Sequence, residues 1–142
     1  MIRPALTQDA SRIAEIENAY IACTWGGAAI KAAIQNPDYI FFVYIAADIL
    51  AGYGSLRMIG TEAEVNNIAV DKAFRKRGIA NEILQSLLSA AKSAGADTFF
   101  LEVSVQNAAA IGLYQKHGFK QIAVRKDYYA KGEDAAVMKL SV

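Results

Sequence analysis

The sequence predicts a mixed α/β (α+β) fold, with one mostly antiparallel sheet and helices on both of its faces. Three strand-like runs joined by short turns predict an antiparallel meander in the first half of the chain. A helix, a strand and another helix follow. A strand between two helices pairs in parallel with the strand before them, so the sheet is mixed. Two further strand-like runs close the chain.

Length and composition restrict the class of protein. The 142 residues fit one domain, 1–142, and 54% apolar with 20% charged residues exclude a disordered chain. A formal charge of +1 indicates neither a nucleic-acid-binding nor a membrane-surface protein. The longest apolar run, Tyr39–Ala47, is too short for a membrane helix, and the N-terminus lacks the pattern of a signal peptide. We therefore expect a soluble, cytoplasmic protein, with its oligomeric state open.

The first half predicts two helices before the meander. Thr7 is the expected N-cap of the first helix. The apolar face of that helix comprises Ala10, Ile13, Ile16 and Tyr20. A short helix from Ala28 to Gln35 follows, and the turn-forming Asn36-Pro37-Asp38 ends it. The three predicted strands are Tyr39–Ala47, Ala51–Ile59 and Glu62–Val70. The single cysteine, Cys23, excludes a disulfide framework, and we expect it to be a small packing residue.

The second half alternates helices and strands. Apolar residues at helical spacing begin at Ile79, and Gly95 is the expected residue after that helix. The run Thr98–Val103 predicts a buried strand. Asn107 is the expected N-cap of a helix that continues through Lys116 and ends at Gly118. The last two predicted strands lie near Lys120–Lys126 and Ala135–Leu140.

A basic loop joins the third strand to the next helix, which starts at Gly78. Arg75, Lys76 and Arg77 stand in this loop. Backbone N–H groups at a helix N-terminus bind anions, and a glycine lets a phosphate approach the backbone closely. The loop matches neither the Walker pattern nor the dinucleotide fingerprint. On these residues alone, a phosphate site and a solvated basic turn are both open.

Six short motifs, spread over nearly the whole chain, resemble those of a known family and favour the phosphate site. They are Asn67-Ile68-Ala69-Val70 with Arg75-x-x-Gly78-x-Ala80, Leu101-Glu102-Val103, Asn107-Ala108-Ala109-Ala110-Ile111, Leu113-Tyr114-Gln115-Lys116-His117-Gly118-Phe119, Arg125-x-x-Tyr128-Tyr129 and Glu133-Asp134-Ala135. The chain thereby resembles the GNAT acetyltransferases, and in particular the branch that acetylates the N-terminal alanine of ribosomal proteins. It departs from common residues of that branch at Thr24, Ser104, Gln106 and Asp127, near where family members hold the acceptor.

The resemblance implies a GNAT fold whose sheet is splayed at its centre by a bulge, with acetyl-CoA bound in the splay. Acetyl transfer would be direct, in a ternary complex, without a metal. The residues implied to bind acetyl-CoA are Ile68, Ala69, Val70, Arg75, Lys76, Arg77, Gly78, Ile79, Ala80, Asn81 and Asn107.

Two side chains are the candidates for acid–base chemistry. Glu102 interrupts an otherwise apolar strand, where a carboxylate is costly unless it is paired, functional or on a solvent-facing edge. The resemblance favours function and makes Glu102 the base that deprotonates the amine. The spacing of Tyr114 after Ile111 favours a core aromatic residue. The resemblance implies instead that Tyr114 is the acid that protonates the leaving thiolate.

Several further residues have weaker assignments. Trp25, Tyr128 and Tyr129 are core aromatics or flank an acceptor peptide, and the resemblance favours the second interpretation. Glu64 is the acidic residue expected to face the acceptor channel. His117 suits the C-terminal end of its helix, and no partner motif indicates that it is catalytic.

The resulting hypothesis is an enzyme that acetylates the α-amine of a protein N-terminus, and in particular the N-terminal alanine of a ribosomal protein. An α-amine has a pKa of about 8, against about 10.4 for lysine, so a lone carboxylate suffices as the base. One alternative is a GNAT enzyme that acts on a small amine or a lysine side chain. The other is an acyl-CoA-binding module without turnover, against which the presence of both Glu102 and Tyr114 argues.

Overall fold

A computed structural model describes residues 1–21 and 24–142, so the prediction for Cys23 lies outside the described residues. The strands are β1 (Ile2–Pro4), β2 (Tyr39–Ala46), β3 (Ile49–Ile59), β4 (Glu62–Val70), β5 (Thr98–Ser104), β6 (Lys120–Ala130) and β7 (Glu133–Ser141). The helices are α1 (Ala10–Tyr20), α2 (Gly27–Gln35), α3 (Ile79–Ser93) and α4 (Ala108–Lys116), with 3₁₀ turns at Thr7–Asp9 and Lys72–Phe74. None of the helices in these described ranges has the length and apolarity of a membrane span.

The strands form one mixed sheet in the order β1-β2-β3-β4-β5-β7-β6. Strands β2, β3 and β4 are antiparallel neighbours, which confirms the predicted meander. Strand β5 pairs in parallel with β4, also as predicted, but only from Glu62↔Thr98 to Glu64↔Phe100. Beyond that last pair the two strands separate, and β5 continues antiparallel to β7. The sheet is therefore open at its centre, as the GNAT resemblance implied.

A bulge in β4 accompanies this opening. Ser55 pairs with Asn67 and Leu56 pairs with Val65, so Asn66 is one extra residue in β4. The extra residue reverses the alternation of side chains along the strand. Val65 packs into the core on one face of the sheet, whereas Ala69, four residues later, packs into the core on the other face.

The two cores fix the layers. Helix α3 packs on one face, over side chains that include Leu56, Phe99 and Leu101, and Tyr114 of α4 joins the same core. Helices α1 and α2 pack on the other face, over Phe41, Val43, Tyr53 and Ala69. Gly54 of β3 allows the close approach of α3, because a Cβ there would lie 2.5 Å from a side-chain carbon of Ile83.

The start of α1 corrects one prediction. Thr7 does not cap the helix with its side chain, since it lies in the 3₁₀ turn that precedes α1. Asp9 organises this turn instead: its carboxylate accepts a hydrogen bond of 2.7 Å from the Leu6 N–H and pairs with Arg3 at 2.8 Å. The Asp9 carboxylate thus satisfies the backbone N–H group at the start of the turn, and Thr7 is not the N-cap of α1.

The end of α1 corrects a second prediction. Tyr20 is 37% exposed rather than part of the apolar face, and the buried position in the last turns belongs to Glu17, which is 1% exposed. Hydrophobic periodicity did not reveal this exchange, because both side chains are held by polar contacts with distant parts of the chain.

The ends of α3 and α4 agree with the sequence. Asn107 caps α4, and its side-chain oxygen accepts a hydrogen bond of 3.1 Å from the Ala110 N–H. Gly95 and Gly118 follow the two helices with φ of 102° and 97°, the left-handed conformation that favours glycine at this position. These caps determine where both helices begin and end relative to the sheet opening.

Candidate active site

Two cavities meet the opening between β4 and β5. We call the first the long groove. It has a volume of about 490 Å³ and runs between the end of β4, the loop before α3, and α4. We call the second the aromatic cleft. It has a volume of about 220 Å³ and lies between β4, β5 and β6. The opening therefore joins a long and a short site at the centre of the sheet.

The long groove collects the residues predicted to bind acetyl-CoA. Ten of the eleven line it, and they are Ile68, Ala69, Val70, Arg75, Lys76, Gly78, Ile79, Ala80, Asn81 and Asn107. Arg77 is the exception, and its guanidinium lies 5.3 Å from the centre of the Phe74 ring. Tyr114 also lines the groove. The sequence analysis missed Tyr20, Ile21, Phe74, Ala109, Ala110 and Leu113 in the same wall.

The loop before α3 has the geometry of an anion site. Gly78 is the N-cap of α3 and has a φ of 75°, and Lys76 has a φ of 64°. The first N–H groups of α3 have no carbonyl partner within the helix, so they are available to an anion in the groove. Arg75 is fixed beside them, since its Nε donates a 3.1 Å hydrogen bond to the Val70 carbonyl. Charge and orphan donors thus converge at one end of the groove.

A polar network ties α1 to this loop. Arg12 and Asp71 form an ion pair of 2.7 Å, and Asp71 also accepts a hydrogen bond from the Ala73 N–H. These contacts lower the pKa of Asp71, the Ala73 N–H most and Arg12 next. The Lys72 N–H donates to the Tyr20 hydroxyl at 2.9 Å, which holds Tyr20 in the groove wall. The contacts of Arg12 with Asp71 and of Tyr20 with Lys72 join residues more than fifty positions apart, so sequence spacing gave no signal for them.

His117 contacts the groove indirectly. Its Nε2 lies 2.7 Å from Oδ1 of Asn81, in the first turn of α3. Burial lowers the pKa of His117, and the nearby Lys116 and Lys92 lower it further. His117 therefore connects α4 to the start of α3 as a neutral side chain near pH 7.

Tyr114 is a buried phenol at the junction of the two cavities. It is 8% exposed and packs edge-on against Phe119, with ring centres 5.8 Å apart. Burial raises the pKa of Tyr114 to about 12, and the nearby Tyr129 phenol adds to the effect. The hydroxyl is therefore protonated throughout the neutral range. Tyr129 itself lines the aromatic cleft.

The aromatic cleft contains every residue predicted to face the acceptor, together with Glu102. Trp25, Glu64, Tyr128 and Tyr129 all line it. The rings of Tyr128 and Tyr129 are nearly perpendicular, with centres 4.9 Å apart. Val65, Asn66, Asn67, Phe100, Leu101 and Val137 complete the lining and were not predicted. The polar pair Asn66-Asn67 within an apolar strand was the signal in the sequence that could have identified this wall.

Glu102 owes its position to the alternation of β5. Its neighbours Leu101 and Val103 are buried in the core beneath α3 and α4, so Glu102 faces the opposite side and the cleft. Its Oε1 lies 3.4 Å from a guanidinium nitrogen of Arg125. Its Oε2 is buried and has no hydrogen-bond partner among the described residues. One carboxylate oxygen is therefore available to a ligand in the cleft.

The hairpin between β6 and β7 carries the two tyrosines. The strand register shifts between Arg125 and Ala130, so the intervening residues leave the ladder. Asp127 organises this segment with a φ of 54°. Its N–H donates to Asp134 at 2.9 Å, and its carboxylate accepts from the Gly132 N–H at 2.6 Å. Asp and Asn both tolerate positive φ, which explains how Asp127 replaces the family's common Asn here.

The other departures from the family pattern lie outside the lining of the cleft. Ser104 donates a 2.9 Å hydrogen bond to Glu133 and accepts one from the Gln106 N–H. Thr24 is exposed, next to Trp25. The N–H groups of Trp25 and Gly26 donate to the buried Glu17 carboxylate at 2.7 and 3.0 Å.

Within residues 1–21 and 24–142, no group of three or more side chains is arranged to hold a metal ion.

The opened sheet with its two cavities is the architecture of an acetyltransferase domain. The acetyltransferase (GNAT) family matches residues 7–119. The chain belongs to this family, which confirms the resemblance found in the sequence.

The relatives include enzymes that modify a ribosomal protein. The [ribosomal protein bS18]-alanine N-acetyltransferase of Haemophilus ducreyi is 33% identical, and the alignment covers 99% of this chain and 99% of that protein. The enzyme of the same name from Salmonella typhimurium is 37% identical over 76% of this chain and 75% of that protein. The crystal structure of the Escherichia coli ribosomal-protein-S18-alanine N-acetyltransferase superposes with a TM-score of 0.90 at 30% identity, over 100% of this chain and 93% of that chain.

A more distant structure shows how widely the fold is shared. Arabidopsis thaliana NAA60 in complex with acetyl-CoA has a TM-score of 0.91 at only 16% identity, over 100% of this chain and 98% of that chain. At this identity the likeness supports the fold alone.

Proposed function

We propose that this chain is an acetyl-CoA-dependent N-acetyltransferase that acetylates the α-amine of a protein N-terminus by direct transfer. One observation carries the proposal: a carboxylate and a protonated phenol reach the same opening of the sheet from its two faces, one beside each cavity. Transfer of an acetyl group from a thioester to an amine needs a base on the side of the amine and a proton donor on the side of the thiol.

The long groove suits acetyl-CoA. Its inner end is backbone of β4 from Ile68 to Val70, next to the opening, which offers N–H and C=O groups to a pantetheine arm. Its outer end has the N–H groups at the start of α3 together with Arg75 and Lys76, which suit the diphosphate. Acetyl-CoA supplies the activated acetyl group when it is bound there.

Glu102 and Tyr114 have separate tasks in this proposal. Glu102 takes the proton from the ammonium group through its unpartnered Oε2, directly or through one water. Tyr114 donates its hydroxyl hydrogen toward the leaving sulfur. Because its pKa of about 12 exceeds that of a thiol, about 8.5, we infer that the phenolate left by this transfer regains its proton from water.

The acceptor that fits best is a peptide N-terminus with a small first residue. Trp25, Tyr128 and Tyr129 flank a cleft of only about 220 Å³, which leaves little room for a bulky side chain next to the amine. The names of the relatives point to the N-terminal alanine of ribosomal protein bS18, and we propose a ribosomal protein as the acceptor here. Such an acceptor places the reaction in the cytoplasm.

A thiol-release assay with three substrates tests the proposal. The first is an alanine-starting peptide, the second is its N-terminally blocked form with an internal lysine, and the third is a polyamine. We expect the highest kcat/KM for the first. A higher value for the blocked peptide or the polyamine would replace this function with the lysine or small-amine alternative. No release with any substrate, despite acetyl-CoA binding, would favour a binding module.

A further inference from the structure

Two buried oxygen atoms in the aromatic cleft lack hydrogen-bond partners. They are Oδ1 of Asn66 and Oε2 of Glu102, for which the described part of the chain provides no partner. Both residues line the cleft. A buried acceptor without a donor is unfavourable, so two of them in one cleft indicate a ligand that brings N–H groups.

The orientation of the Asn66 amide is fixed by its neighbour. Its Nδ2 faces the Glu64 carboxylate, 3.5 Å from Oε1. Rotating the amide by half a turn would place its oxygen against that carboxylate and bring two acceptors together. The free atom is therefore the oxygen, which binds a donor and not an acceptor.

The positions of Asn66 and Glu102 match across the opening. Glu64 and Phe100 form the last parallel pair of β4 and β5. Asn66 follows Glu64 by two residues on β4, and Glu102 follows Phe100 by two residues on β5. At both positions the strands have already separated. Asn66, at the bulge, and the candidate base Glu102 therefore stand at corresponding positions of the two strands, and both line the cleft.

We propose that Asn66 binds the nitrogen of the acceptor amine together with Glu102, so that the cleft recognises a primary ammonium group. This inference rests on the proposed function. One N–H of the ammonium donates to Asn66 Oδ1 while a second gives its proton to Glu102 Oε2. The neutral amine stays bound to Asn66 with its lone pair free. As the C–N bond forms and the C–S bond breaks, the nitrogen releases another proton to water and the thiolate receives one.

A binding cycle tests the contact between Asn66 and the amine directly. Calorimetry on the enzyme saturated with CoA measures the Kd of an alanine-starting peptide and of its deamino analogue, in which propionyl replaces alanyl. The wild type should prefer the amine. Asn66→Leu, which has a similar volume but no acceptor, should lose about tenfold or more of that preference, as expected for a hydrogen bond to a charged group. A general loosening of the cleft would weaken the binding of both peptides and leave the ratio of their Kd values unchanged.

Tyr44→Phe is the control, because Tyr44 is half-buried on β2 and lines neither cavity. It should keep the wild-type preference. An unchanged preference in Asn66→Leu, or an equal loss in Tyr44→Phe, would overturn the inference. Turnover of the alanine-starting peptide with acetyl-CoA is measured first. Its absence in the wild type would overturn the proposed function and this inference together, whereas normal turnover with an unchanged preference in Asn66→Leu would overturn only the inference.

Discussion

Glu102 and Tyr114 lie on opposite faces of the sheet, and the opening between β4 and β5 is what brings them to one place. Glu102 projects from β5 on the side of the aromatic cleft, and Tyr114 belongs to the core on the other side and lines the long groove. An amine and a thioester that enter from the two cavities would therefore meet between the proposed base and the proposed proton donor.

Replacing Tyr114 tests the proton donor. Tyr114→Phe keeps the ring against Phe119 and removes only the hydroxyl, so acetyl-CoA affinity should change little. We expect kcat to fall about 10²–10⁴-fold, the usual contribution of one general acid. Tyr44→Phe is the control, since Tyr44 is half-buried on β2 and lines neither cavity. Steady-state kinetics that give both variants a wild-type kcat would contradict the assignment.

The pH dependence of the reaction separates the base from the acid. Because the pKa of Tyr114 is about 12, its ionisation should produce no loss of activity up to about pH 10. Below the pKa of the α-amine, about 8, the rate should fall as the amine becomes protonated. Glu102→Gln should lower kcat about 10²–10⁴-fold, because it removes the carboxylate that takes the proton of the amine. The exposed Glu62→Gln is the control, and a wild-type kcat in Glu102→Gln would exclude Glu102 as the base.

Gly78 tests the position of the diphosphate. Its φ of 75° and its place in the groove wall disfavour any side chain with a Cβ. We expect Gly78→Val to raise the Kd for acetyl-CoA at least about tenfold, as measured by calorimetry. Gly60→Val is a matched control, because Gly60 has a φ of 65° and equally open surroundings but lines neither cavity. Equal affinities in the two variants would place the diphosphate elsewhere.

The Asp71 network should show itself in the pH dependence of stability. The folded state lowers the pKa of Asp71, so its ionised form stabilises the fold above about pH 4, and this contribution disappears as the pH falls through the lowered pKa. Asp71→Asn should therefore lower the stability at pH 7 by about 1 kcal/mol and approach the wild type in acid. Thermal unfolding of Asp71→Asn and of the exposed control Asp38→Asn measures this. A loss that is the same at about pH 3 as at pH 7 would show that the charge is irrelevant.

Much of the fold could be predicted because it depends on local periodicity and caps. The Asn107 cap and the left-handed Gly95 and Gly118 are local signals, and they placed α3 and α4 correctly. The parallel partner of β5 followed from the general rule for a strand between two helices. The predicted start of α1 was wrong because a 3₁₀ turn over Thr7–Asp9 precedes the helix, and this turn is held by contacts of Asp9 with Leu6 and Arg3.

The candidate site was predictable where a motif lies on one element, and not where distant elements meet. The groove residues from Ile68 to Asn81 follow one another in sequence. Tyr20 joined them only through a hydrogen bond with Lys72, which no spacing indicates. Asn66 was overlooked because a bulge is visible only in the pairing of two strands, here with Ser55 and Leu56 of β3.

Mass spectrometry of protein N-termini in cells with and without this enzyme tests the central claim most directly. The account predicts that deletion leaves the N-terminal alanine of a ribosomal protein unacetylated, and that the wild-type chain restores the acetyl group whereas Tyr114→Phe does not. N-termini that are acetylated equally in both strains, with the change found instead on lysine side chains or small amines, would contradict it.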